Sequence, residues 1–151
     1  MNPWQRREYS ERLETGGISV SVPGYPEWAF TVRRRCAWNA DYQRAVVRCS
    51  ARPEAAELMA WQRENPGTAM PDKLAAIDAA MMREAFAEGC LIDWTVTGPD
   101  GKPFPPTLGN ALLLFEKFPD IFVELSTAAG EAGRFAAPLP IAKKAKATAG
   151  N

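Results

Sequence analysis

The residue types that carry out most enzyme chemistry are either missing from this 151-residue chain or lack a recognisable spacing. The chain has no histidine, which removes the commonest general base and the commonest metal ligand. Asp72, Asp78, Glu84 and Glu88 fall within one predicted helix, and paired carboxylates can act as acid and base. A solvated polar helix face explains the same spacing, and we favour that interpretation.

The three cysteines, Cys36, Cys49 and Cys90, are an odd number without CxxC spacing. This pattern argues against a disulfide framework and against a zinc site. A catalytic thiol needs a neighbouring base that deprotonates it, and no motif places a base beside any of the three. We therefore expect reduced core thiols, no metal or other cofactor, and a protein that is not an enzyme.

Two further stretches allow a phosphate-binding interpretation. Arg33, Arg34 and Arg35 stand together, but neither interleaved aromatic residues nor a wider basic surface accompanies them, and the chain has no net charge. The favoured interpretation is a solvated strand end, so nucleic acid is not an expected partner. Residues 98–101, Gly-Pro-Asp-Gly, lack the lysine of a phosphate loop and instead predict a turn.

The elements that must position these residues follow from apolar periodicity. Alternation over residues 18–22 and 28–32, around a Pro/Gly turn, predicts a β-hairpin, which needs helices packed on its apolar face. Helical spacing follows over residues 40–52, which Asn39 can cap, over residues 54–64, and from Pro71 through Met81 and Ile92. After an extended proline-rich connector over residues 103–106, two short helices begin at Thr107, a cap, and at Pro119, and Leu113 widens the apolar stripe of the first.

The predicted fold class is α+β and mainly α, with an N-terminal β-hairpin packed on a small bundle of four to five helices. The length suits one domain, over residues 17–135. Residues 1–16 are an N-terminal segment with a weak helical stripe of Trp4, Tyr9 and Leu13, and residues 136–151 are expected to form a flexible tail. No apolar run is long enough to span a bilayer, and the polar start lacks the apolar core of a signal peptide, so a soluble intracellular protein is expected.

The last two predicted helices contain more large apolar residues than a small helical domain readily buries. Together with a methionine pair on the preceding helix, whose side chains repack easily, they predict an apolar groove for a partner. The predicted partner-binding residues are Met81, Met82, Leu112, Phe115, Phe118, Phe122 and Leu125. For each residue alone, a place in the core is the alternative. An aspartate at Leu112 or Phe122 should weaken co-purification with an apolar helical partner.

One stretch also has a familiar order of residues. From residue 94 the sequence is Trp-Thr-Val-Thr-Gly-Pro-Asp-Gly-Lys-Pro, followed by Pro-Thr-Leu-Gly-Asn-Ala-Leu from residue 106 and Phe-Pro-Asp from residue 118. With the preceding hairpin and helices, this series resembles the tail assembly chaperones of long-tailed bacteriophages and prophages. Two features depart from that pattern: Gly109 stands where an acidic residue would be expected, and Arg33 to Arg35 have no counterpart.

The resemblance implies a non-enzymatic protein of the host cell cytoplasm, and possible partners follow from it. Such a protein binds the apolar tape-measure protein, keeps it soluble and helps tail-tube protein subunits polymerise around it. A homo-oligomer is a further possibility, and a membrane is not an expected partner. The alternative is a minor structural subunit of the tail or head-tail connector, which would remain in the virion and contact neighbouring copies through the same helices.

Overall fold

A computed structural model of the protein describes residues 1–137. In chain order these residues form helix α1 (Pro3–Gly16), strands β1 (Ile18–Ser21) and β2 (Ala29–Val32), helices α2 (Ala40–Ser50), α3 (Pro53–Glu64) and α4 (Asp72–Gly89), strand β3 (Leu91–Trp94), helices α5 (Leu108–Lys117) and α6 (Pro119–Gly130), and a 3₁₀ helix (Ala132–Phe135). The fold is α+β and mainly α, as predicted, and the β1–β2 hairpin lies near the N-terminus.

The boundaries at the two ends differ in detail from the prediction. The N-terminal segment is a full helix with Asn2 as its cap, but Trp4 of the predicted stripe is 85% exposed. At the other end Phe135 and Ala137 are both buried, so ordered packing continues past the predicted start of the tail at residue 136. The remainder of that predicted tail, residues 138–151, lies outside the described residues.

The sheet has the order β1-β2-β3 and is antiparallel throughout. Phe30 in the central strand pairs with Val20 on one side and with Trp94 on the other, and all three side chains are buried on the inner face. Helices α4, α5 and α6 cover this face and complete the core. Within the helical layer the ring centroid of Phe115 lies 6.0 Å from that of Phe86.

Strand β3 differs from the prediction, because helical periodicity places Ile92 on the apolar face of α4. The helix ends at Gly89, and Ile92 is instead the extra residue where the pairing of β2 and β3 shifts its register, which is a β-bulge. The reason lies in packing between helices. A methyl group at position 89 would lie 2.3 Å from the Cα atom of Tyr42 in α2, so the end of α4 must be glycine.

Helices α2 and α4 are antiparallel and share a ladder of ion pairs. Arg52 contacts both carboxylate oxygens of Glu84, with its Nη1 atom 2.5 Å from Oε2 and its Nη2 atom 2.7 Å from Oε1, and Arg48 pairs with Glu88 one turn away. The hydrogen bond from Arg52 is the main reason why the pKa of Glu84 lies below its ordinary value. The solvated face predicted for these carboxylates is therefore wrong for Glu84 and Glu88, since both are half-buried partners of α2.

The arginine triplet does not form a solvated strand end, which corrects that prediction. Each side chain is half-buried, and each bonds to a different helix. Arg33 Nη1 lies 2.6 Å from Asp41 Oδ2 in α2, and Arg35 Nη2 donates to the Ser126 carbonyl of α6 over 3.4 Å. Arg34 Nη1 donates to Glu14 Oε1 of α1 over 2.9 Å. The end of β2 thus holds three helices together.

Glu14 is a buried carboxylate that attaches α1 to the rest of the fold. It accepts hydrogen bonds from Arg7, Arg34 and the indole Nε1 of Trp38, the last over 2.6 Å. Burial raises the pKa of Glu14, but these hydrogen bonds outweigh that effect, and the pKa lies below its ordinary value. Both guanidinium groups also lie over the Trp38 ring, at 5.5 Å and 5.2 Å from its centroid.

An apolar groove as the candidate functional site

The residues that carry the family resemblance build a small arm on the protein surface. The chain reverses at Gly101, whose φ of 78° is accessible to glycine without steric cost. Backbone hydrogen bonds close the arm, from Gly98 N to Lys102 O over 2.8 Å and from Phe104 N to Val96 O over 3.0 Å. Trp94 fixes its base, because its indole Nε1 donates to the Phe104 carbonyl and its ring stacks on the Phe104 ring. The turn is therefore where the sequence predicts it.

The connector after the arm starts helix α5 at the predicted place. The Thr107 hydroxyl accepts a hydrogen bond from the backbone N–H of Asn110 over 3.2 Å, which is the predicted N-cap. The Asn110 side chain donates back to the Pro105 carbonyl over 2.9 Å. These two bonds fix the direction in which α5 leaves the proline-rich connector.

Phe118 is the junction between α5 and α6, and its ring packs against the turn of the β1–β2 hairpin. Its centroid lies 5.5 Å from that of Tyr25 and 5.6 Å from that of Trp28, in edge-to-face geometry with both rings. The Tyr25 hydroxyl donates to Asp120 Oδ2 over 2.9 Å, and Trp28 Nε1 donates to Thr97 Oγ1 over 3.3 Å. The hairpin turn is thus attached both to the start of α6 and to the arm.

An apolar groove of about 440 Å³ lies between these three parts of the molecule. One wall is Trp28, another is the arm, and the third is the outer face of α5. The principal apolar side chains that line it are Trp28, Val96, Phe104, Leu113, Leu114 and Phe118. Lys117 is the one charged residue that lines the groove within the described part of the chain.

The seven predicted partner-binding residues do not share one exposed face. Phe118 lines the groove, whereas Met81 and Met82 lie on α4 and do not line it, with Met82 50% exposed. Leu112 is half-buried on the side of α5 away from the groove lining. The predicted residues therefore come together only in part.

Phe115, Phe122 and Leu125 correct the prediction more directly. Phe115 and Leu125 have no exposed surface, so they belong to the core instead of a partner-binding face. Phe122 is half-buried, and its ring centroid lies 5.2 Å from that of Phe115 and 5.6 Å from that of Phe86. The apolar residues that the last two helices leave exposed are different ones, namely Leu108, Leu113 and Val123.

Sequence reasoning missed Trp28, Phe104 and Leu113 as groove residues. The alternation of apolar residues places Trp28 in a strand, whereas β2 begins at Ala29. The prolines on both sides of Phe104 predict an extended connector and do not indicate that its ring lines a groove. Helical spacing places Leu113 at the edge of the apolar stripe of α5 without indicating which side of the helix faces outward, and it is 46% exposed. Which side of a short helix faces outward depends on neighbours that are distant in sequence.

No three metal-ligating side chains in residues 1–137 are arranged to hold an ion, and no helix in that range is long and apolar enough to cross a membrane. Burial raises the pKa of the Cys90 thiol to about 12 and also raises the pKa of Cys49. Both of these thiols are buried, as expected, whereas Cys36 is half-exposed.

Comparison with known proteins finds no matching family model, no matching curated protein and no matching solved structure.

Proposed function

We propose that this protein is a non-enzymatic tail assembly chaperone of a long-tailed phage or prophage, acting in the host cytoplasm. Its groove would bind an apolar helical segment of the tape-measure protein and keep that protein soluble until tail-tube subunits assemble around it. The observation that carries the proposal is the apolar groove itself, which is walled by residues of the stretch from Trp94 to Asp120 that resembles the family.

The resemblance and the groove support each other because the same residues serve both. Trp94 holds Phe104 in the arm, Thr107 sets the start of α5, and the junction at Phe118 forms the end wall. A volume of about 440 Å³ lies within the roughly 300 to 1,000 Å³ of ordinary binding pockets. It has room for several large side chains from one face of a helix, which is the surface that an unassembled tape-measure helix exposes.

The test is co-expression with the tape-measure protein of the same phage or prophage. Leu113→Asp places a charge in the groove at a half-exposed position, so the fold should survive. Val47→Asp is the matched control, because Val47 is 68% exposed on α2 and does not line the groove. Wild type and Val47→Asp should keep the tape-measure protein soluble and co-purify with it, whereas Leu113→Asp should do neither. Equal binding by folded Leu113→Asp would contradict the proposal.

Purified particles distinguish the chaperone from a minor structural subunit. A chaperone should be absent from mature virions, since tube subunits replace it on the tape-measure protein. A fixed copy number in the virion would instead support the tail or connector subunit. Phe122→Asp is a poor test of either function, because Phe122 packs against the buried Phe86 and Phe115 and its loss would damage the core.

A further inference from the structure

Three residues of different chemical character lie in a row on the face of α5 that borders the groove. Gly109, Leu113 and Lys117 are spaced by four residues, so they lie along one side of the helix. All three are exposed, and a methyl group at Gly109 would meet nothing within 4 Å. Leu113 and Lys117 line the groove. Along the helix the row therefore presents a position without a side chain, then an apolar side chain, then a cation.

The charge of Lys117 is not neutralised within the described residues. Its ammonium group forms no ion pair with any carboxylate of residues 1–137. It stands in the last turn of α5, where it offsets the partial negative charge of the helix end, equivalent to about half an elementary charge. Lys117 is thus the one charged side chain that lines the groove in residues 1–137, and no carboxylate of those residues pairs with it.

From this arrangement we infer that the partner is an amphipathic helix whose apolar stripe ends in an acidic residue, and that this residue pairs with Lys117. The inference rests on the proposed function, to which it adds the chemistry of the bound segment. The partner helix lies along α5 and approaches it closely at Gly109, which has no side chain. Its large apolar side chains fill the groove between Trp28 and Leu113. At the Lys117 end of the groove, a carboxylate of the partner helix pairs with the Lys117 ammonium group.

The experiment uses two synthetic amphipathic peptides of about 18 residues, or five helical turns. They share one leucine stripe and differ only in having glutamates or lysines at both ends of it, so the orientation of the bound peptide does not matter. Because the protein has no net charge, a difference between them reports local charge. Binding to the full chain is measured by fluorescence anisotropy of the labelled peptide.

Wild type should bind the glutamate peptide about three- to fivefold more tightly than the lysine peptide, the scale of a surface ion pair. Lys117→Glu should reverse that preference, and Lys117→Gln should remove it. Lys73→Glu is the control, because Lys73 is an exposed lysine on α4 that does not line the groove. The preference should shrink in high salt because the pair is solvent-accessible.

The possible results separate this inference from the proposed function. If both peptides bind equally and Leu113→Asp abolishes their binding, the charge inference is overturned while the groove remains a partner site. If Lys117→Glu weakens both peptides alike, the lysine acts through packing and the inference also fails. If neither peptide binds, both the inference and the proposed use of the groove are contradicted.

Discussion

The Cα atom of Tyr42 occupies the place that a side chain at Gly89 would need, because a methyl group at residue 89 would lie 2.3 Å from it. Helix α2 begins against the last turn of α4, and Asn39 stabilises the contact. Its side-chain Nδ2 donates to the carbonyls of Gly89 and Arg34, over 2.8 Å and 2.9 Å, and its Oδ1 caps α2 at Tyr42 N. This crossing fixes where α4 ends and β3 begins.

Gly89→Ala should therefore destabilise the protein by about 2 to 3 kcal/mol, since the backbones of two helices must separate. Gly109→Ala is the matched control. Its added methyl group meets nothing, and alanine is the better helix residue, so stability should stay the same or rise by about 0.5 kcal/mol. Urea unfolding followed by circular dichroism measures both variants. Equal stability of Gly89→Ala and wild type would mean that the helices do not approach as closely as described.

Glu14→Gln should lower the free energy of unfolding by about 1 to 3 kcal/mol, because the cationic Arg7 and Arg34 then lose their anionic partner in a buried site. Glu11→Gln provides the comparison. Glu11 pairs with Arg7 at 3.2 Å from an exposed position, where such a pair contributes about 0.5 kcal/mol or less. If Glu14→Gln proved as stable as Glu11→Gln, the Glu14 carboxylate would not be what attaches α1 to the rest of the fold.

The dependence of stability on pH follows from the same carboxylate. The pKa of folded Glu14 lies below the ordinary value of 4.5. A lowered folded pKa gives stability that is complete above the unfolded pKa and is lost as the pH falls through the folded pKa. Wild type should thus lose its advantage over Glu14→Gln below about pH 4.5. Urea midpoints of the two proteins measured across this range should converge in acid; a constant difference would contradict the assignment.

Thiol reactivity should separate the three cysteines. Cys36 is half-exposed and should react with iodoacetamide in the native protein, whereas Cys49 and Cys90 are buried. The Cys90 pKa of about 12 leaves almost no thiolate near neutral pH, which protects it further. Mass spectrometry should show one modified cysteine in the native state and three in denaturant. Native Cys36→Ser should remain unmodified, and labelling of its Cys90 would show that α4 opens readily.

Local signals in the sequence were enough for the parts of the fold that depend on neighbouring residues. Asn39 and Thr107 cap α2 and α5, Pro119 opens α6, and Gly101 turns the arm, all where the sequence predicts them. Each of these roles depends on the residue itself: the side-chain oxygen of a cap, the ring of proline, or the absence of a side chain in glycine. The alternation of apolar residues likewise predicted the β1–β2 hairpin.

The errors concern residues whose role depends on distant partners. Ile92 fits a helical period as well as a strand, and only the contact between Gly89 and Tyr42 ends the helix before it. Arg34 looked solvated because its partner, Glu14, is twenty residues away in a helix with little apolar character. Leu113 and Phe115 are both apolar residues of α5, and the sequence does not show that one lines the groove and the other is in the core.

The Tyr25 hydroxyl donates to Asp120, and the Phe118 ring packs beside Tyr25 and Trp28. These contacts bear on how a complex with the proposed partner helix would dissociate. These contacts attach the hairpin turn to the start of α6 while the groove is empty. Since these contacts already join the two parts in the unoccupied protein, the proposed partner helix would not have to separate them on entering the groove. Under the proposed function, release of that helix would then depend on the arrival of a competing partner and not on closure of the groove.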